Sequence, residues 1–409
     1  MPETGLFDEV LARGRVREAV SDRAYLAAML AAEAALARVQ RGAIPDVAAT
    51  AIAAVCDVDR YDIAALGTAA RGPGNPVLPL VEALRAAVAP AAAEFVHRGA
   101  TSQDILDTAT MLVAHRALGA LLDDVTGAAD AAAGLARAHA GTGMAGRTLL
   151  QHAMPVTFGL KAAGWMVALD EAAHRLAEVR QTRLAAQLGG AVGTQEAFRG
   201  SGSNVTVDFA SELGLVHPVL PWHTNRTRVA ELAGALATAA GVLARIARDV
   251  TLLAQTEVGE VVEAEPGRSS AMPHKRNPVA AVSAYACASQ APGLAATLFA
   301  AMAQEHERAA GAWQAEWRPL RELLVSVGSG AAWLRQCLAG LTVNEAAMAA
   351  NLARLCAEAG VADLHEHLLA AENLAERALA ARDHLHAAAE RLADQRGAAG
   401  PDTGEVGVQ

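Results

Sequence analysis

The stretch VAELAGALATAAGVLARIARDVTLLAQTEVGEVVE, Val229 to Glu263, contains no proline and keeps a steady apolar rhythm. Leu232, Leu236, Ala239, Leu243, Ile246, Val250 and Leu253 alternate spacings of four and three. That period is the seam of a long helix packed in a bundle. Proline-free amphipathic runs also span Ile105 to Ala140, Thr157 to Leu188 and Val279 to Ala291. At a rise of about 1.5 Å per residue, helices of this kind reach roughly 50 Å and gather their connections at the ends of the bundle.

The rest of the composition fits. Of the 409 residues, 53% are hydrophobic and only 3% aromatic, which favours Ala/Leu/Val helix packing over an aromatic-rich sandwich. Strand-like alternation is scarce, and NVTVDF (Asn204–Phe209) is its best case. The expected fold is all-α, a long central helix bundle flanked by two smaller helical domains. The expected boundaries are residues 1–104, 105–342 and 343–409, the last ending in a disordered tail, RGAAGPDTGEVGVQ.

A net charge of -10 argues against a nucleic-acid partner held through phosphates. It leaves room for a small anionic substrate, because a local basic site can sit in an acidic protein. The four cysteines, Cys56, Cys287, Cys337 and Cys356, lie far apart and outline neither a disulfide framework nor a zinc site. Asn277 to Gln304 carries no charge, but its polar residues and prolines read as a helix buried in a soluble bundle, not a membrane span. MPETGLFDEV is no secretory signal, so a cytoplasmic protein is expected.

Three polar segments interrupt the helical background. HRGATSQD (His97–Asp104) precedes a long helix, where Thr101 and Ser102 can act as caps or hold a carboxylate against free N–H groups. GRTLLQHAMP (Gly146–Pro155) sets Arg147, Gln151 and His152 before another. EPGRSSAMPHKRNP (Glu265–Pro278) puts Arg268, His274, Lys275 and Arg276 beside two serines, and its prolines and glycine define a shaped loop. Such a loop can offer N–H groups and Lys275 to an anion. GGAVGT (Gly189–Thr194) is Gly-rich but follows no strand, and His365/His367 and His384/His386 are spaced i,i+2, so nucleotide and metal chemistry are disfavoured.

SSAMPHKRNP, with HRGATSQDILDTA and GRTLLQHAMPVTFG in matching order, resembles the fumarase/aspartase superfamily from about Gly5 into the 390s. The resemblance implies a cofactor-free, metal-free helical homotetramer whose active sites are shared between subunits. The substrate would be a small di- or tricarboxylate. Ser269 would take or return the α-proton. Lys275 and Asn277 would hold a carboxylate and stabilise the enediolate. Thr101, Ser102 and His97 would bind another carboxylate, and Arg308 in EHER matches a substrate-binding arginine.

Several branches of the superfamily carry Thr-His where this chain has Thr148-Leu149, with its histidine at His152 instead. TLLQHAMPVTFGLKAAGW, LPWHTNRTRVAEL and EHERAAGAWQAEW resemble the bacterial 3-carboxy-cis,cis-muconate cycloisomerases. The implied reaction is a γ-lactone closure, in which a tethered carboxylate adds across a conjugated double bond. That weakly basic group needs less acid help, in keeping with Leu149. Arg268 stands where the family has glycine, in a loop about two residues shorter than usual, which favours a rival lyase on a substituted succinate such as nitrosuccinate. Adenylosuccinate-type elimination and a non-catalytic helical oligomer are the remaining alternatives.

Overall fold

The computed structural model describes residues 5–198 and 202–398. Helices dominate, and the strands among the described residues form two small antiparallel pairs. The chain divides into two compact units. One holds the residues up to Gly127 with Leu169–Thr251 and Gly267–Cys337. The other holds Ala128–Ala168, Leu252–Pro266 and the residues from Leu338 onward.

In the first unit, the helix Asp22–Val39 is capped by Ser21, whose hydroxyl accepts the Ala24 N–H, and it packs on Asp46–Val55. The helix Thr227–Leu253 follows the apolar seam read from the sequence. Leu232, Leu236, Ala239, Leu243, Ile246 and Val250 are all buried, and each fully buried Leu, Ile or Val contributes about 1.5–3 kcal/mol. NVTVDF is not a strand. It lies within the helix Gly202–Glu212, where Val205 and Phe209, four residues apart, are buried together. The same residues fit either period, and packing selects the helical one.

The uncharged stretch 277–304 contains two helices, Val279–Ala288 and Ala291–Ala300, because Pro292 opens a new helix after Ser289 and Gln290. At 10 residues each, both fall short of the roughly 20 a membrane span needs. The helices Ser102–Ala138 and Thr227–Leu253 are long and apolar enough to cross a membrane, yet most of each candidate span is buried within the protein.

In the second unit, the helical pattern expected to run to Glu263 stops at Leu253. Gly259 adopts a positive φ of 63°, and Val261–Glu263 pairs with Leu341–Val343 as a short sheet. Strands β1 (Gly143–Thr148) and β2 (Gln151–Thr157) form a hairpin packed on the helices Glu345–Ala359 and His365–Ala398. The hairpin is bulged between Ala145 and Arg147. A Cβ on Gly146 would stand 2.4 Å from the Met154 carbonyl oxygen, so only glycine fits that kink. Arg396 to Ala398, the start of the tail expected to be disordered, end the last helix; the rest of that tail lies outside the described residues.

Candidate active site

Ser102 opens a helix that runs to Ala138. Asp104, in its first turn, accepts the Thr101 backbone N–H at 3.0 Å, which is half of a capping box. The Thr101 and Ser102 hydroxyls make no hydrogen bond among the described residues, so both remain available at a helix N-terminus that favours an anion. Four residues earlier, His97 sits at a φ of 62°, and its Nδ1 lies 2.6 Å from the buried Glu33 carboxylate. Burial alone would lower the His97 pKa; the Glu33 charge and hydrogen bond outweigh it and raise the pKa above 6.5.

Behind this helix start lies a dense polar core. Asp104 is fully buried and accepts four donors: the Gly189 and Gly190 N–H groups at 2.9 Å each, the Thr101 N–H, and His223 Nε2 at 2.7 Å. The glycine-rich stretch is therefore a carboxylate cradle. A Cβ on Gly189 would stand 2.7 Å from His223 Cε1. One turn along, Asp107 and Glu316 grip Arg226 from two sides at 2.7 and 2.6 Å, with Trp313 donating to Asp107. Burial alone would lower the Arg226 pKa, but the two carboxylates hold it above its ordinary value. Burial raises the Glu316 carboxyl above its usual range, against the pull of Arg226. Arg308 donates to Gln103 Oε1 at 3.0 Å and to the Ala191 carbonyl at 2.8 Å, so its guanidinium ties the glycine loop to the helix start.

The loop that interrupts the helices is closed at its base. Gly267 and Asn277 exchange backbone hydrogen bonds of 2.9 and 3.1 Å. Inside that closure, Ser269 Oγ accepts from the Ala271 and Met272 N–H groups at 3.4 and 3.1 Å, which fixes the turn after the serine. Arg268, His274, Lys275 and Arg276 are exposed, and among the described residues none has a side-chain hydrogen bond or ion pair. This is a concentration of uncompensated positive charge on a shaped loop.

The hairpin of the second unit brings Arg147 and His152 directly opposite each other, on a cavity of about 450 Å³ that Asn351, Arg354 and Glu358 also line. His152 Nδ1 is 2.8 Å from Glu358 Oε2, an arrangement that orients the imidazole. Both prongs of Arg147 are committed to the buried Glu260, at 2.9 and 2.8 Å, and Asn351 donates to the same carboxylate. The tip of the hairpin is Leu149-Leu150, both with positive φ (52° and 66°), the pattern of a two-residue type I′ turn that normally takes Asn-Gly. Leu149 is 96% exposed.

The residues singled out from sequence thus fall into three groups. Ser269, Lys275 and Asn277 share the closed loop. His97, Thr101 and Ser102 share one segment, to which Arg308 is joined through Gln103. His152 and Arg147 belong to the hairpin. Arg147 pairs with Glu260, and Arg308 donates to Gln103 and to loop carbonyls. Asp104 and His223 were missed. The capping spacing of TSQD could have found Asp104, but no local pattern pairs it with a histidine so distant in sequence. Among the described residues, no group of three or more His, Cys, Asp or Glu side chains is placed to hold a metal ion.

The chain is 47% identical over 401 residues to a 3-carboxy-cis,cis-muconate cycloisomerase of Bradyrhizobium diazoefficiens, covering 93% of this chain and 88% of that protein. It is 49% identical over 366 residues to a nitrosuccinate lyase of Streptomyces davaonensis, covering 86% and 77%. The crystal structure of the 3-carboxy-cis,cis-muconate lactonizing enzyme from Pseudomonas putida matches with a TM-score of 0.82 at 41% identity, over 94% of this chain and 88% of that one. A family model described as lyase matches residues 5–293. The chain belongs to the lyase family of the fumarase/aspartase superfamily.

Proposed function

We propose that the protein is a cycloisomerase that closes 3-carboxy-cis,cis-muconate to a carboxymuconolactone, an intramolecular lyase reaction without a cofactor. The observation that carries this reading is the 47% identity to a cycloisomerase over 93% of the chain. In the reaction, a carboxylate oxygen adds to the conjugated double bond, and its π electrons move onto the carbon α to a second carboxylate. The resulting enediolate is strongly basic at carbon and needs a nearby proton and several donors. Ser269 delivers the proton. The unpaired ammonium of Lys275, with Asn277, faces the developing charge. The free hydroxyls of Thr101 and Ser102 hold another carboxylate, and His152, oriented by Glu358, polarises the attacking one.

The exposed apolar side chains of Val282, Tyr285 and Phe299, on two neighbouring short helices, fit an oligomer interface. We assign a cytoplasmic homotetramer with shared active sites. Nitrosuccinate lyase is the second reading, favoured by the 49% identity and by Arg268 in the loop. Purified protein offered each substrate separately decides between them. Loss of diene absorbance, with a lactone seen by NMR, supports the cycloisomerase. Nitrite and fumarate released from nitrosuccinate, with the muconate untouched, support the lyase.

A further inference from the structure

His223 is 5% exposed, and one side of its ring is accounted for: Nε2 is held at 2.7 Å by Asp104, whose other three acceptor positions are filled by backbone N–H groups. The other side is not. Nδ1 has no hydrogen bond among the described residues. The missing Cβ of Gly193 lies 3.8 Å from it, and Gly193 and His223 both line a cavity of about 240 Å³. Asn225 borders the same cavity, and its side-chain oxygen caps the next helix by accepting from Thr227. Nothing in the mechanism above uses this histidine, yet Asp104 belongs to the very segment that presents Thr101 and Ser102.

A buried carboxylate that fixes one imidazole nitrogen while the other faces open space positions a proton donor or acceptor. Resting on the proposed function, we propose that His223 is a substrate-contacting residue and that its Nδ1 takes a carboxylate of the substrate at this cavity. Asp104 is its positioning residue. The negative charge of Asp104 balances an imidazolium, so Nδ1 can carry the proton that a carboxylate accepts. His306 and Glu307 line the cavity, Arg308 lies beside the glycine loop, and Arg226 donates to the His223 carbonyl, so these charged or titratable groups, with Asp104, surround the imidazole.

The test is binding of tricarballylate, a stable substituted succinate with three carboxylates, measured by calorimetry from pH 8 to pH 6 for the full chain and for His223→Asn. The expected result is tighter binding by the wild type as pH falls, with proton uptake, and a loss of about tenfold in affinity together with that pH dependence in the variant. A folded variant that binds with the wild-type affinity and pH profile overturns the proposal, as does a wild type that does not bind. If the variant does not fold, a crystal structure of the wild type with tricarballylate decides. A carboxylate within hydrogen-bond distance of Nδ1 supports the assignment, and an empty cavity at saturating ligand overturns it. Because tricarballylate undergoes no lactonisation, a protein inert toward carboxymuconate could still pass this test, so the two readings fail separately.

Discussion

The start of the Ser102 helix and the Gly267–Asn277 loop are both crowded with charge, and they treat it in opposite ways. At the helix start Asp104, Asp107, Arg226 and Glu316 are buried, and each is held by partners within 3.1 Å. In the loop, Arg268, Lys275 and Arg276 stand exposed with no partner among the described residues. A satisfied buried network specifies structure, whereas exposed, unpaired cations on a loop closed at its base remain available to an anion. The helix start holds its charges in balance, and the loop leaves its cations exposed.

The largest expected effect comes from the loop. Lys275→Gln should lower kcat/KM for the lactonisation by about 100- to 1000-fold, the usual cost of removing one donor to a developing anion. Its thermal unfolding should match the wild type, because the ammonium supports nothing in the fold. An equal loss of stability would break the contrast. The converse holds for Arg226→Met, which strands two buried carboxylates and should cost about 3–5 kcal/mol in urea unfolding. A variant as stable as the wild type would show that the network is not structural.

A smaller effect concerns His97. Its raised pKa means that the pair with Glu33 contributes stability fully below about pH 6.5 and loses it as pH rises through the folded-state value. Unfolding measured from pH 6 to 9 should therefore show a decline on the alkaline side, flattened in Glu33→Gln. A wild-type curve of the same shape as the variant would remove the pair from the account.

Much of the helical bundle was legible. The Leu232 to Leu253 seam gave both the helix and its buried face, because a long apolar period has one satisfactory packing. The hairpin was not legible. Leu149-Leu150 carries none of the Asn-Gly signal of a type I′ turn, and its positive φ angles are imposed by the strands and the packing around them. NVTVDF failed for the opposite reason, since a short β-branched run fits either period until its neighbours choose. At the candidate site, residues with local motif signatures could be named from the sequence, and their partners could not. That Arg147 is locked by Glu260, or that Asp104 orients His223, depends on pairings more than a hundred residues apart.

The proton-donor role of Ser269 is decided by the steady-state rate of Ser269→Ala on 3-carboxy-cis,cis-muconate beside the wild type, with melting curves of both. The wild type should form the lactone, and the variant should be slower by at least about 100-fold at unchanged stability. A variant as fast as the wild type would contradict that role, and would move the proton donor out of the loop.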